Sequence, residues 1–516
     1  MGDLTLTLTT RLSPLIDRQG EATSPLPATR LSPLIDRQGE ATSPLPATRY
    51  PPPVTRHLFL VSLLSPPATP MPSHVIDSTL FKEMYGSDEL RQVFTDENMV
   101  QCWLDFEAAL ARAEVPAGLV PQAAADEITA KARVELIDFP RLKQGIDDAT
   151  HELVPLIWQL SALCEGAAGG YVHWGATTQD VTDTGLVMQM KQAHAIILAD
   201  LERLAAALAL LARRERDTIM PGRTHGQHTP PITFGFKVAG WLDEVQRHID
   251  RMRELAPRVF VGQFAGAAGT LASVGEAGLG IQARLLADLG LGVPAIGWHQ
   301  SRDRIAEYGC VLGMVASTMG RIAHEVILLQ KTEVAELEEP YQRGKVGSST
   351  MPHKRNPMIC EGIVAEARMA RGLVPTLMGA MESEHERDWA AVHIEWALVP
   401  EISILSGGAV VHTLRVIDGL LVYRDRMRRN LDLLFGLPLS ESVMLHLGEA
   451  LGRQVAHEVV HEASMLAFEQ ERRLRDLLLE DERVTAHLTA DAIDDMLRPE
   501  KYTGLCGVFV DRVAGM

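Results

Sequence analysis

The sequence predicts an all-α protein, and three features carry that expectation. No proline occurs between Pro155 and Pro221, between Pro294 and Pro340, or between Pro400 and Pro438. Proline removes a backbone donor and clashes inside a helix, so such stretches are where long helices survive. Ile197, Leu201, Leu204, Leu208 and Leu211 recur at spacings of four and three, which places them on one stripe of a helix fit for a bundle seam; Val311, Val315, Ile322 and Val326 mark a second stripe. Aromatic residues make up only 5% of the chain and strand-like alternation is scarce, so little argues for a sheet. Helices this long expose more apolar surface than one subunit covers, which predicts oligomerisation.

In chain order, the first 70 residues stand apart. Thirteen of the 29 prolines precede Ser73, and a 19-residue segment, Arg11 to Thr29, is repeated without change as Arg30 to Thr48. Such composition cannot bury a core, and residues 1–70 read as a disordered leader with Met71 as the true start. The 516 residues suggest about three domains. Forty-nine Lys plus Arg against 67 Asp plus Glu leaves a formal charge of −18, which argues against nucleic acid or an anionic membrane as partner, so any anion site is local. Cys102, Cys164, Cys310, Cys360 and Cys506 are odd in number and include no CxxC pair, so neither a disulfide framework nor a zinc knuckle is written here and a reducing cytoplasm fits. The apolar stretch from His57 to Leu64 is too short to span a bilayer.

Three polar, glycine-punctuated stretches interrupt the helical pattern: His173 to Thr184 (HWGATTQDVTDT), Gly222 to Pro230 (GRTHGQHTP) and Gly344 to Pro357 (GKVGSSTMPHKRNP). Function concentrates on such loops. In the third, Gly344 and Gly347 permit a tight loop while Ser348, Ser349, Lys354 and Asn356 supply hydroxyls, a cation and an amide. A hydroxyl among backbone N–H groups beside an ammonium is a candidate base, because its alkoxide is stabilised. The spacing of a nucleotide phosphate loop, GxxxxGK[ST], is not met. His225 and His228 form an HxxH pair without a clear third metal ligand.

The third string resembles the signature loop of the fumarase/aspartase superfamily: GSSxMPxKxNP is matched at every fixed position from Gly347 to Pro357. TDENMVQCWLDFEAAL, GQFAGAAGT, EHERDWAAVHIEW and LGRQVAHEVV resemble the branch that holds adenylosuccinate lyase and 3-carboxy-cis,cis-muconate cycloisomerase, from about Ser78 to the C-terminus. The resemblance implies three helical domains, at 71–180, 181–435 and 436–516, of which the middle one is a long-helix bundle completed by a homotetramer whose active sites are shared between subunits. It implies anti β-elimination that releases fumarate from a small substituted succinate. Ser348 takes the family's base position. Lys354, Asn356 and Ser349 fall among the groups that hold the substrate carboxylate, Thr224 and His225 are the family's Thr-His pair, and Glu361 is the acid behind His225. His151 and His173 match two further family histidines, Thr177 and Thr178 the carboxylate-binding hydroxyls, and Gln263 a substrate-contacting amide.

Departures narrow the substrate. Where adenylosuccinate lyase grips its phosphate with arginines, this chain has Met84, Gly362 and Trp396, and each lost charge-assisted contact costs about 1.5 to 3 kcal/mol. Cycloisomerases of the branch carry Trp where this chain has His225 and lack a counterpart of His151. An N-substituted aspartate or nitrosuccinate, cleaved at a C–N bond, reconciles the two sets. The alternatives are the cycloisomerase itself, adenylosuccinate lyase, and a catalytically silent structural relative such as a lens crystallin. No motif implies a metal, a nucleotide cofactor or a flavin.

Overall fold

The computed structural model of the chain describes residues 74–341 and 348–515. The duplicated leader, Gly344 and Gly347 lie outside them. Short N-terminal helices come first: α1 (Asp88–Val93), α2 (Asp96–Glu114), α3 (Gln122–Lys131), α4 (Phe139–Ala149) and α5 (Val154–Leu163). Several start where the sequence supplies a cap, as when Thr95 accepts the Asn98 N–H at α2 and Asp138 the Arg141 N–H at α4.

The proline-poor stretches are long helices, as expected. They are α6 (Thr178–Arg214), α7 (Phe234–Val259), α9 (Asp303–Gln330) and α11 (Trp389–Asp418), joined by α10 (Met358–Gly379) and the shorter α8 (Gly278–Asp288). Helices α6, α7, α9, α10 and α11 pack side by side. The two sequence stripes form the seam: Ile197, Leu201, Leu204, Leu208, Val315, Ile322 and Val326 are wholly buried, and Leu211 and Val311 nearly so. The approach of neighbours is close enough that a Cβ on Gly408 of α11 would lie 2.5 Å from the backbone nitrogen of Gly86. Helices α9 and α11 are long and apolar enough to cross a membrane, but more than half of each apolar window is buried inside the protein, as core helices of a bundle are.

Beyond α12 (Arg424–Leu431), helices α13 (Ser440–Leu451), α14 (Arg453–Gln470), α15 (Leu474–Glu480), α16 (Glu482–Thr485) and α17 (Ala490–Met496) enclose a small core of their own around Val443, Leu447, Val459, Leu478, Val484 and Ile493. Helix α18 (Cys506–Ala514) returns to α6 and α7, where Asp511 accepts Nε and Nη2 of Arg216 at 2.7 Å. Strands are few: an antiparallel hairpin of β1 (Ile219–Thr224) and β2 (Gln227–Thr233), and the short pair β3 (Leu337–Glu338) and β4 (Leu421–Val422).

One fully buried ion pair ties the bundle together. The Arg302 guanidinium, at the start of α9, donates to both oxygens of Asp183 on α6 at 2.8 and 2.9 Å and to Glu395 on α11 through Nε at 2.8 Å and through Nη2. Breaking a buried pair strands the remaining charges in a low-dielectric interior. Arg302→Met is therefore expected to cost about 3 to 5 kcal/mol in denaturant unfolding; a loss below about 1 kcal/mol would show that the bundle does not rest on this contact.

Candidate active site

Two clusters of the expected residues form at opposite ends of the bundle. At the first, the chain turns into α6 through His173 and Gly175, both left-handed at φ 64° and 72°. The expected loop to Thr184 is shorter than its composition suggested, because the helix begins at Thr178. A buried carboxylate sets that start. Asp180 accepts the N–H of Thr177 at 3.0 Å, closing a capping box. It also accepts the N–H groups of Ala265 at 2.9 Å and Gly266 at 3.0 Å and faces Nε2 of His299 at 2.9 Å. The GQFAGAAGT loop is thereby fixed to the head of α6.

Around this anchor, Thr178 Oγ1 lies 3.5 Å from His151 Nε2. His151 Nδ1 accepts the N–H groups of Leu153 and Val154 at 3.4 and 3.3 Å, at the start of α5. The neutral ring therefore carries its proton on Nε2 and points it at Thr178. His173 Nδ1 meets Glu107 Oε1 at 2.7 Å. Arg387, from the HERDW string, donates to Gln179 Oε1 and to the Ala267 carbonyl, both at 2.9 Å. Gln263 departs from its expected role. It is wholly buried, its amide nitrogen donates to Asp183 at 2.8 Å and its oxygen accepts the Trp298 N–H at 2.6 Å. Facing the Arg302 cluster, it orients the interior rather than meeting a substrate.

The second cluster sits at the other end. The GRTHGQHTP stretch, which the sequence presents as a loop, is the β1–β2 hairpin: Thr224 pairs with Gln227, and His225 and Gly226 form the two-residue turn at φ 51° and 77°. Both central residues need positive φ, which is the type I′ arrangement of tight hairpins. Thr224 and His225 are exposed at its tip. The hairpin is anchored below by Arg223, which donates to both oxygens of Glu336 at 2.9 and 2.6 Å. His228 pairs across from Arg223; burial first, then the Arg223 charge, lower its pKa. Among the described residues no group of three or more His, Cys, Asp or Glu is placed to hold a metal.

Ser348 lies at this same end. Its Oγ accepts the N–H groups of Thr350 at 3.3 Å and Met351 at 3.1 Å. Both donors point at the hydroxyl oxygen, an arrangement suited to stabilising negative charge there. Downstream, Arg355 donates to Glu338 at 2.9 Å and stacks on Tyr341, while Glu339 accepts the N–H groups of Ile359 and Cys360 at 3.0 and 2.9 Å at the head of α10. Ser349, Lys354 and Glu361 are exposed and Asn356 is half-buried. Glu361, in the first turn of α10, makes no hydrogen bond to His225 among the described residues. Near it, Met84 and Gly362 face one cavity of about 130 Å³, lined also by Met358, Ile359, His412 and Arg415. Trp396 instead packs edge-on against Trp389 and His393.

The 37 residues of α6 separate the two clusters by roughly 55 Å at 1.5 Å per residue. Within one chain His151, His173, Thr177 and Thr178 therefore do not meet Ser348, His225 and Lys354.

The chain matches the family model described as Lyase over residues 84–372 and that of the adenylosuccinate lyase C-terminus over 436–513. It belongs to the fumarase/aspartase superfamily and is a lyase. It is 43% identical to the N-acetyl-S-(2-succino)cysteine lyase of Dickeya dadantii, over 86% of this chain and 97% of that protein. It is 44% identical to the 3-carboxy-cis,cis-muconate cycloisomerase of Pseudomonas aeruginosa, over 85% and 96%. The structure of a 3-carboxy-cis,cis-muconate lactonizing enzyme from Pseudomonas putida superposes with a TM-score of 0.80 at 40% identity, covering 85% of this chain and 98% of that one.

The sequence does not single out the groups that hold the head of α6 and its neighbours: Asp180, His299, Arg302, Glu107 and Arg387. Only Asp180 carried a local signal, since threonine followed three residues later by aspartate resembles a capping box. Asp180→Asn keeps one acceptor oxygen but turns an NH2 toward at least one backbone N–H, either that of Ala265 or those of Thr177 and Gly266. It is expected to destabilise the protein by about 3 kcal/mol and to speed amide hydrogen exchange at residues 177–180 and 263–271; unchanged exchange there would mean the anchor lies elsewhere.

Proposed function

We propose that the protein releases fumarate by anti β-elimination from a small succinate substituted through a heteroatom. The observation that carries this reading is the Ser348 hydroxyl held by two backbone N–H groups in the signature loop. Those donors, with the Lys354 ammonium, stabilise the alkoxide that takes the proton from the carbon beside one carboxylate. The resulting aci-carboxylate needs fixed donors, which Lys354, Asn356, Thr177 and Thr178 supply. The bond to the heteroatom then breaks, its electron pair leaves with the substituent, and fumarate remains. His225 protonates a basic leaving group, and Glu361, which makes no hydrogen bond to it among the described residues, orients it from a neighbouring subunit.

The separation of the two clusters supports an oligomer in which the Thr177–Thr178 corner of one subunit meets the Ser348 end of another, and the family resemblance implies a homotetramer with the Ser348 loop, the His225 hairpin and that corner drawn from different subunits. For the leaving atom, nitrogen is the reading drawn from the retained histidines, and sulfur enters through the name of the Dickeya relative. The 130 Å³ cavity beside α10 favours a small substituent over a nucleotide, since Met84, Met358, Ile359 and Gly362 line it and Arg415 is its single guanidinium. The five free cysteines fit a cytoplasmic setting. A second reading, cycloisomerisation of a carboxymuconate, rests on the 44% identity to the Pseudomonas aeruginosa enzyme; it predicts loss of muconate absorbance with no fumarate.

Ser348→Ala is expected to keep the fold and lower fumarate release by about 10³-fold, read by absorbance across a panel of N- and S-linked succinates. Retention of near-normal rates would remove Ser348 as the base. Ser348→Ala and Thr178→Ala subunits, each inactive alone, should regain activity when unfolded and refolded together; no recovery would count against shared sites. Adenylosuccinate should be turned over at least about 100-fold less efficiently than the best small succinate, given two or more missing phosphate contacts.

A further inference from the structure

A buried carboxylate that the reaction does not itself use stands behind His173. Glu107, on α2, has a side chain with no exposed surface, and its Oε1 lies 2.7 Å from His173 Nδ1. A carboxylate only accepts, so Nδ1 carries a proton, and the state of the ring is decided at Nε2. A neutral ring presents a lone pair there and repels a carboxylate. An imidazolium presents a second N–H and binds one. The His173 side chain is 21% exposed, and with Nδ1 turned to the interior, the Nε2 edge is left to face outward.

We propose that Glu107 is a positioning residue that holds His173 as an imidazolium with its Nε2–H directed at a carboxylate of the substrate. The inference rests on the functional reading above and adds to it the charge of one contact.

The surrounding charges favour this assignment. Two ionisable groups bear on His173, Glu107 beside it and Asp180 on α6, and Glu114 lies two turns beyond Glu107 along α2. Both carboxyl oxygens of Glu114 and Oε2 of Glu107 are buried with no hydrogen-bond partner among the described residues. Burial, and then the charge of Glu107, push Glu114 up to about 8, which favours its protonated form at neutral pH. Asp180 is spent on three backbone N–H groups and His299. That leaves Glu107 as the anion matched to His173. Burial alone would lower the histidine's pKa; the charge and hydrogen bond of Glu107, with the charge of Asp180, outweigh it and the net shift is upward. A raised value extends the cation's range to higher pH than an ordinary histidine's, and the cation is lost as pH rises through that value.

The test pairs a titration that needs no substrate with kinetics that do. Histidine C2–hydrogen exchange read by mass spectrometry follows His173 in the full-length protein. Glu107→Gln should move its midpoint to lower pH by about one unit or more. In the same variant KM for the best succinate should rise about tenfold above pH 7 while kcat changes less, and the fall of kcat/KM with pH should begin correspondingly earlier. Glu107→Asp keeps the charge and should give an intermediate titration, which also serves if the glutamine variant does not fold. Glu114→Gln, replacing a group whose protonated form is favoured, should leave the His173 midpoint in place. An unmoved midpoint in both Glu107 variants overturns the proposal, and so does a moved midpoint with unchanged KM. Absence of fumarate from every succinate with wild-type protein would instead overturn the functional reading, and the titration would still decide whether Glu107 sets the histidine's charge.

Discussion

The architecture depends on one guanidinium. Arg302 is 1% exposed and serves two buried carboxylates, Asp183 on α6 and Glu395 on α11. One cation against two anions in a dry interior is unbalanced, and the imbalance falls on Glu395, which burial pushes up to about 7 in spite of Arg302. Such a pair adds little net stability relative to an apolar core. What it adds is register: the donors of a planar fork fit their acceptors at one helix offset only. Asp183 lies three residues beyond Asp180, almost one turn along α6. Fixing the first therefore fixes the second, and Asp180 in turn places the Thr177–Thr178 corner.

Helix length is the other constraint. A bundle spanned by α6 has ends too far apart to share a small substrate, which is why the proposed site draws on more than one copy of the chain. The same length leaves more apolar surface on the helices than one chain covers. In the proposed assembly the same helix length bears on stability and on chemistry, and a change that loosens the bundle register would be felt at sites shared between subunits.

Local physics explains what could be read in advance. The helical stripes were legible because a 3.6-residue period leaves its mark on neighbouring residues, and Leu201, Leu204 and Val315 are buried where that period puts them. The signature loop was legible as a string. The hairpin was not, because Pro221, Pro230 and Pro231 argue against strands and the left-handed turn at His225 has no signature a histidine would advertise. Gln263 shows the opposite failure: the residue was found, but its amide points to Asp183 rather than outward, and only packing decides that. Glu107 and Arg302 escaped notice because their partners lie 66 and 93 or more residues away, and nothing in a linear sequence marks a charge as buried.

For an acidic protein the proposed dianionic substrate poses a difficulty, since a formal charge of −18 repels it. The two ends of the bundle meet it differently. At Ser348 the donors are backbone N–H groups, which carry no net charge and need no counter-ion. At the head of α6 the acids are neutralised in place: Asp180 by three N–H groups and His299, Asp183 by Arg302, Glu114 by keeping its proton. Once these are accounted for, the carboxylate still uncompensated beside the site is Glu107, and the group it faces is His173. A buried anion with a single titratable neighbour stabilises that neighbour's charged form. On this account the negative charge is not an obstacle to substrate binding: displaced one residue inward, it sustains the cation that the substrate meets.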